Sequence, residues 1–573
     1  MGLFVNKKIR IVSLICSILF FLLVISYGIY ERVQENRKEV ISTETNNVEN
    51  VEPTLIEKNS IELEHQKEID SMLLTEVQSH QYTIKNPKVI LNPYENSPLS
   101  AVVIFYTSEK QKVSVKIKGK THNADIKFKF SKYTNEHIIP VYGLYADTKN
   151  EIIMTLENKS GSSQTKSIFI KTAPLIDDIK NVSISTYIGA PTKYQEGLNF
   201  SYAGKEHKEY KMACDINGDV RWYLKKTYGI STLYSQSDYF YLTSSERTNE
   251  GGCLIYRINP LGRIYAVYYG PYAQHHEIQL TDKNELLIAG EESGENKTVE
   301  DILYKIGLDD GQLTGLLDYK DILQRTRNVG KFYDYRDWLH MNAAVQDKDD
   351  VVISSNYQSA IVKNDWNGNI KWILSDPAGY LSKWKQYLLH PIGSNFEYPY
   401  NQHAIEILPD YDKNSDTVDI LMFDNGSSRN FVDKELQRKI QNNEVNEPKL
   451  YSRLVHYRIN EKDMTVEQIW QYGKERPELF STYRGDADLL ENGNILGCFN
   501  QGMDGDEAKA NVVYVEIDRD GDVIWECYLE DKTATNQFQA YRVERVNIYN
   551  ESANNLLKDL EESTAYYIPD NIK

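Results

Sequence analysis

The sequence predicts an all-β protein: a six-bladed β-propeller with an N-terminal β-sandwich domain, preceded by a transmembrane helix and stalk. Three observations point there: a strand–turn–strand unit that recurs past residue 176, a period-two stretch before it, and an uncharged apolar run near the start. The 573 residues are several times one ordinary domain of about 150 residues. With 41% hydrophobic residues the chain can bury large cores. Its 65 Lys+Arg and 83 Asp+Glu leave a net charge of −18. That argues against a nucleic-acid partner held by phosphate contacts. An anionic ligand must instead be held by a local constellation of residues. Five cysteines with no CxxC spacing exclude a disulfide framework and a zinc-cluster protein.

Lys7, Lys8 and Arg10 precede an uncharged run over 11–29. At ~1.5 Å per residue such a run nearly crosses the ~30 Å hydrocarbon layer. Residues 1–30 are therefore expected to be an uncleaved anchor. The protein is then a single-pass protein of the cell membrane with its working domains outside the cell. Residues 31–80 are polar and charge-rich, with a weak helical period at Ile61, Ile69, Leu73 and Val77, and read as a stalk.

Over 81–175 the period becomes two. Val113, Val115 and Ile117 alternate with Lys112, Lys116 and Lys118, and Ile126, Phe128 and Phe130 with Lys127 and Lys129. Alternation broken by polar turns describes half-buried antiparallel strands, here a small sandwich. This segment holds 14 Lys and 7 Asp+Glu, a local charge of +7. It reads as a solvated Lys-rich sheet face more readily than as a site for an anionic polymer.

From 176 to 573 one unit recurs: a strand, a turn with Asp, Asn or Gly, and a strand often carrying Trp. Its turn positions are Gly218, Gly262, Gly311, Gly368, Asp463 and Gly521, spaced by 44, 49, 57, 95 and 58 residues. Periods of this length built from short strands mean propeller blades, and six units make six blades. The 95-residue gap holds a blade with insertions around 375–400 and 427–450.

A second element precedes most hairpins. Aligning its apolar letters puts Leu280, Val345, Ile407 and Leu489 in one column. Five places earlier the column reads His275, His340, Gln402 and Arg484, and the next reads His276, Met341, His403 and Gly485. Seven histidines lie past residue 176, and four of them fall here. The first strand of each blade lines the central channel, so these positions should converge on one mouth. Because adjacent strand residues face opposite ways, a bulge or turn must re-aim either His340 or His403.

Histidines with an Asn and an Arg admit two chemistries. Metal binding is one, yet no HxH or HExxH spacing accompanies these residues, so no metal or other cofactor is expected. Transfer of a tetrahedral anion is the other. Neutral His can attack, while His⁺, Arg and amide donors stabilise the equatorial oxygens.

The segments DWLHMNAAVQ (337–346), QHAIEIL (402–408), MFDNGSSR (422–429) and YSRLVHYRINEKDMTVEQIWQYGKER (451–476) resemble the bacterial arylsulfate sulfotransferase family. The resemblance covers about 82–573. It implies an extracytoplasmic six-bladed propeller with a β-sandwich domain, often a homodimer. The implied activity is transfer of a sulfuryl group from an aryl sulfate donor to a phenolic acceptor, without a nucleotide donor. The implied mechanism is ping-pong through a sulfated histidine. By this resemblance His403 matches the nucleophile, and His340 and Asn342 match the residues that hold the sulfuryl oxygens, with His340 also an acid/base. His275 or His276 matches a further pocket histidine.

One departure bears on the site: Asn356 stands where the family usually has an Arg. Arg484, in the column of His275 and His340, is expected to supply the missing charge, the plainer alternative being a surface pair with Asp486 or Asp488. The family's disulfide is not evident, and Cys214, Cys253, Cys498 and Cys527 read as buried thiols. The rival function is a membrane-tethered, non-catalytic propeller that binds an envelope or host ligand.

Overall fold

The computed structural model describes residues 53–569 apart from 206–207, 230–231, 235–238, 295–296, 333, 502–510 and 532–537. The chain divides into two compact units, Met1–Thr54 and Leu55–Lys573, and the architecture below is that of the second. The anchor expected over 1–30 lies outside the described residues. Among the described residues no helix is long and apolar enough to cross a membrane. The single-pass membrane location expected from the sequence is corrected accordingly.

The segment read as a stalk contains a 24-residue helix, Leu55–Gln78, which buries Leu63, Gln66, Ile69, Asp70, Leu73 and Val77 along one stripe. Three buried polar residues, Asn59, Gln66 and Asp70, weaken the apolar period of this helix, which is why the sequence reads as a solvated spacer. Gln66 and Asp70 are fully used. Gln66 Nε2 donates to Ile264 O at 2.9 Å, and Ile264 N donates to Gln66 Oε1 at 2.7 Å. Arg263 Nη2 and the Tyr94 hydroxyl donate to Asp70 at 2.9 and 2.6 Å. A buried Arg–Asp pair of this kind holds only with such full satisfaction of its hydrogen bonds.

The period-two segment forms one six-stranded sheet around the long strand Ala101–Ile117. The first half of that strand pairs with Lys88–Leu91 and Thr134–Val141, the second with Ile126–Lys129 and Lys149–Asn158. A register shift between Tyr106 and Gln111 separates the halves. Val113, Val115 and Ile117 are buried, as the alternation requires.

From Val182 on, the described residues make six further sheets of four or five strands. The sheets Ala273–Leu280 to Leu313–Asp318 and Met341–Asp347 to Ile370–Leu374 are simple antiparallel meanders. The two ends of the region interleave. Val182–Ile188 is the outer strand of the last sheet, and Phe538–Val546 pairs with Leu198–Lys205 of the first. First strands of successive sheets pack side by side: Ala273–Leu280 beside Met341–Asp347, then His403–Ile407, then Asp486–Leu489 and Phe538–Val546.

The recurring Trp joins sheet to sheet. Trp222, Trp372 and Trp525 are buried. Their indole N–H groups donate to Pro260 O at 2.8 Å, Glu461 Oε1 at 2.7 Å and Ile216 O at 2.8 Å. Each therefore buries a large apolar surface while its one donor stays satisfied. The hairpin glycines Gly218, Gly262, Gly311, Gly368 and Gly521 all have φ between 69° and 90°. In the unit without glycine the left-handed position is Met464 (φ 55°), one place after Asp463. The 95-residue gap accommodates the strand His390–Ile392, added in parallel to Thr465–Tyr472, and the helix Lys434–Gln441.

Candidate active site

Four first strands share one irregularity. Pairing shifts between Gln274 and Ile278, between Met341 and Ala343, between His403 and Glu406, and between Ala540 and Val543. His276 (φ 61°), His340 (48°) and Ala404 (50°) adopt left-handed backbone at or beside three of these places, and Arg484 (61°) does so ahead of Asp486–Leu489, a first strand without a pairing shift. Such backbone is costly for non-glycine residues and survives only where surrounding packing enforces it. The bulges re-aim side chains, so His340 and His403 can serve one site although they sit in adjacent alignment columns.

The result is a buried imidazole cluster. The His276 ring lies 4.9 Å from that of His340 and 6.4 Å from that of His403. His276 Nε2 and His340 Nε2 are 3.2 Å apart, and His276 Nδ1 is 2.7 Å from the Tyr541 hydroxyl. His340 Nδ1 faces two carboxylates, Asp337 Oδ2 at 2.7 Å and Glu300 Oε2 at 2.8 Å. Tyr357 stacks on the His340 ring at 4.4 Å. His275 turns to Glu300 Oε1 at 3.1 Å.

His403 is 3% exposed. Its Nδ1 lies 2.7 Å from Asn425 Oδ1. The Asn425 amide is oriented by its other end, since Nδ2 donates to Ser481 O at 2.9 Å and Arg484 O at 2.7 Å. Oδ1 therefore accepts, the proton of neutral His403 resides on Nδ1, and its Nε2 carries a lone pair.

Burial and charge set the histidines apart. Burial lowers His403 to about 3, the Asn425 hydrogen bond only partly opposing it. Burial also works to lower His340, but Glu300 and Asp337 outweigh it and raise His340 to about 10. His276 is held well below its usual value by burial and then by His275. Glu300 is held well below the carboxylate range: burial would raise it, but His340 and His275 prevail. At neutral pH the site thus pairs a neutral His403 with an imidazolium at His340. Separating two like groups in this way is a means of assigning nucleophile and acid.

A match to the Arylsulfotransferase (ASST) family spans residues 185–542, more than half of the chain, and a match to the arylsulfotransferase Ig-like domain spans 88–173. The chain belongs to the arylsulfotransferase family. It is similar to the arylsulfate sulfotransferase AssT of Lelliottia amnigena, 24% identical over 504 residues that cover 68% of this chain and 80% of the relative. It is also similar to AssT of Escherichia coli O6:H1 (strain CFT073), 23% identical with the same coverage. This arylsulfotransferase is therefore an aryl sulfate sulfotransferase with an aryl sulfate donor and a phenolic acceptor. These relationships do not extend to membrane attachment or to a homodimer.

The enzyme's remaining expected site residues fall as follows. Asn342 Nδ2 donates to Gln402 O at 2.7 Å, and Asn356 Nδ2 donates to Asn401 O at 2.8 Å. Both therefore grip the backbone leading into His403. Asn401 returns a bond to Asn356 O at 3.1 Å. Asn356, at the place of the family Arg, is thus a buried tie between the turn after Asp350–Ser355 and the segment leading into His403–Ile407. Arg484 pairs with Glu209 through Nη2 at 3.2 Å, not with Asp486 or Asp488. Its Nη1 is buried without a hydrogen-bond partner, and the guanidinium lies 6.0 Å from the Tyr541 ring.

Sequence reasoning did not single out Asp337, Glu300, Asn425, Tyr541 or Arg542. Asp337 and Asn425 sit inside the matching segments DWLHMN and MFDNGSSR, so a signal existed. Arg542 forms a two-pronged pair with Glu277, at 3.1 and 2.7 Å, and stands 5.4 Å from the Tyr541 ring. A cavity of about 490 Å³ is lined by Ala404, Glu406, Asp486, Asp488, Arg542 and Glu544 among others, and by none of the clustered histidines. Burial raises Glu406 and Asp486 to about 7 and Glu544 to about 8. His275, His276 and Glu300 have a spacing that a metal ion could span, as do Glu300, Asp337 and His340. Their mutual ion pairs account for the same closeness.

Proposed function

We propose that this enzyme works by ping-pong transfer through a sulfohistidine at His403. The observation that carries the reading is the Asn425 hydrogen bond to His403 Nδ1, which leaves a lone pair on Nε2 of a neutral, buried imidazole. In the first half-reaction Nε2 attacks sulfur, the N–S bond forms and the S–O(aryl) bond breaks. In the second, the acceptor phenol loses its proton, its oxygen attacks the sulfur, the O–S bond forms and the N–S bond to His403 breaks. The loose character of such group transfer leaves the protein mainly positioning and charge to provide.

His340, held as an imidazolium by Asp337 and Glu300, serves as the acid in the first half and the base in the second. The unpartnered Nη1 of Arg484 faces the developing charge of the sulfuryl oxygens, in place of the guanidinium absent at 356. Asn342 and Asn356 hold the backbone at Asn401–Gln402 so that His403 keeps its aim. The frame for this site is a closed six-bladed propeller over 176–573, in which Phe538–Val546 completes the first blade, with a β-sandwich over 81–175. The interleaved chain ends and the row of adjacent first strands support that closure.

Incubation with 4-nitrophenyl sulfate and no acceptor should add about 80 Da, one sulfuryl group, to a peptide containing His403. His403→Ala should lose both the adduct and turnover. An active His403→Ala protein would overturn the assignment.

A further inference from the structure

The hydroxyl of Tyr541 stands at the end of a continuous line of proton-bearing groups that starts at two carboxylates. We propose that Tyr541 is a catalytic residue that hands the leaving phenol its proton, supplied from His340 through His276. This rests on the ping-pong reading above and adds the route by which the acid reaches the aryl oxygen.

One assignment of protons along the line gives the direction the relay requires. His340 Nδ1 faces Asp337 Oδ2 at 2.7 Å and Glu300 Oε2 at 2.8 Å, both acceptors, so this nitrogen carries a proton. The two facing Nε2 atoms of His340 and His276, 3.2 Å apart, require one donor and one acceptor. His276 Nε2 also lies 3.3 Å from Glu300 Oε2. In the state the relay uses, His340, with carboxylates at its Nδ1, is the doubly protonated ring, and its Nε2–H donates to His276 Nε2. His276 then carries its own proton on Nδ1 and donates it to the Tyr541 oxygen at 2.7 Å. The phenolic proton of Tyr541 is consequently not spent on His276. The Tyr541 ring lies 6.3 Å from that of His403, about as close as the His276 ring at 6.4 Å.

The step balances. As the S–O(aryl) bond breaks, its electron pair stays on the aryl oxygen, which takes the Tyr541 proton. The Tyr541 oxygen takes the His276 Nδ1 proton, and His276 Nε2 takes the His340 Nε2 proton. The net change is one proton from His340 to the released phenol. When the acceptor phenol enters, its proton returns by the same three shifts. Over the two halves no proton is exchanged with solvent, so a buried site needs no water channel to run the cycle.

The test compares two donors on the full chain, wild type and Tyr541→Phe. Phenyl sulfate has a poor leaving group that needs the proton, whereas 4-nitrophenyl sulfate releases a stable phenolate. Single-turnover release should fall about a hundredfold with phenyl sulfate, the scale of general-acid catalysis, and only a few-fold with 4-nitrophenyl sulfate. His276→Gln interrupts the line one step earlier and should show the same contrast, which keeps the test open if Tyr541→Phe does not fold. Equal losses with both donors would make Tyr541 a packing residue and overturn the proposal, as would no loss with phenyl sulfate. Mass spectrometry of the same samples separates the two readings. A wild-type protein without a His403 adduct defeats the ping-pong scheme, whereas an adduct without leaving-group contrast defeats only the relay.

Discussion

Replacing Asn425 with alanine tests the central claim, that His403 is a nucleophile because one side chain dictates its tautomer. In the native site Asn425 Oδ1 is the acceptor for His403 Nδ1 at 2.7 Å. Without it, the Nδ1–H of a side chain 3% exposed has no partner. Leaving such a buried donor unsatisfied costs about 1–3 kcal/mol, so the ring moves its proton to Nε2 and loses the attacking lone pair. Taken as a barrier, that range is a loss of about 5- to 150-fold in the sulfation rate. The assay is the pre-steady-state burst of 4-nitrophenolate, which reports the first half-reaction alone. Asn425→Ala also deletes the bonds to Ser481 O and Arg484 O, so Asn425→Asp is the needed control. Aspartate lacks those donors but still accepts from Nδ1, and its charge raises the His403 pKa from about 3. Asn425→Asp should therefore keep most of the burst at alkaline pH and lose it as the pH falls. Equal losses in the two variants at every pH would refute the tautomer argument.

The pH dependence of kcat/KM should be set by His340 on the alkaline side, falling as the pH rises through about 10, and by His403 near about 3 on the acid side. Asp337→Asn should move the alkaline limb downward, and a wild-type limb near the ordinary 6.5 would contradict the carboxylate pairing. Since the folded pKa of His340 exceeds 6.5, its contribution to stability is present below that pH and is lost as pH rises through about 10. Arg484→Ala should cost about 2–4 kcal/mol of transition-state stabilisation, mostly in kcat, and wild-type turnover would remove Arg484 from the site. Glu406, raised by burial from 4.5 to about 7, favours the folded state below 4.5 and loses that advantage as pH rises through about 7. Glu406→Gln should therefore gain up to about 3 kcal/mol above pH 7 and nothing at pH 4 in denaturant titrations.

The repeat was legible because every hairpin needs one residue at positive φ and most use glycine for it. The helix Leu55–Gln78 showed only as a weak period at Ile61, Ile69, Leu73 and Val77, and its packing was hidden because it buries Gln66 and Asp70 where an apolar residue would have marked the face. The histidine column was legible because equivalent positions of repeated strands keep equivalent places. The sequence could not say which of His275 and His276 turns inward, since that depends on the left-handed backbone at His276. His276 is 8% exposed and contacts His340 and Tyr541. Nor could it show Asn356 as a tie to Asn401, a contact between residues 45 positions apart.

Tyr541 and Arg542 escaped the alignment for a topological reason. The other rows were recognised by the hairpin that follows each first strand. Phe538–Val546 has no such hairpin ahead of it in sequence, because its partner, Leu198–Lys205, lies more than 300 residues earlier. Yet it carries the same bulge, between Ala540 and Val543, and Tyr541 and Arg542 occupy that bulge as the histidines occupy theirs. The strand that joins the two ends of the chain is thus also the strand that brings Tyr541 to His276 and Arg542 to Glu277. A chain that folds its middle sheets but fails to make this last pairing keeps His340 and His403 while lacking the hydroxyl and the guanidinium beside them. With Tyr541 in its proposed role, loss of this pairing should be read out as loss of catalysis. Destabilising the Phe538–Val546 pairing at a residue remote from the cluster, such as Arg545, whose Nε donates to Asn199 Oδ1 at 2.9 Å, should lower activity before it disturbs the sheets between Ala273 and Leu374. Hydrogen exchange followed alongside turnover would measure both, and activity that outlasts protection of Leu198–Lys205 would contradict the coupling.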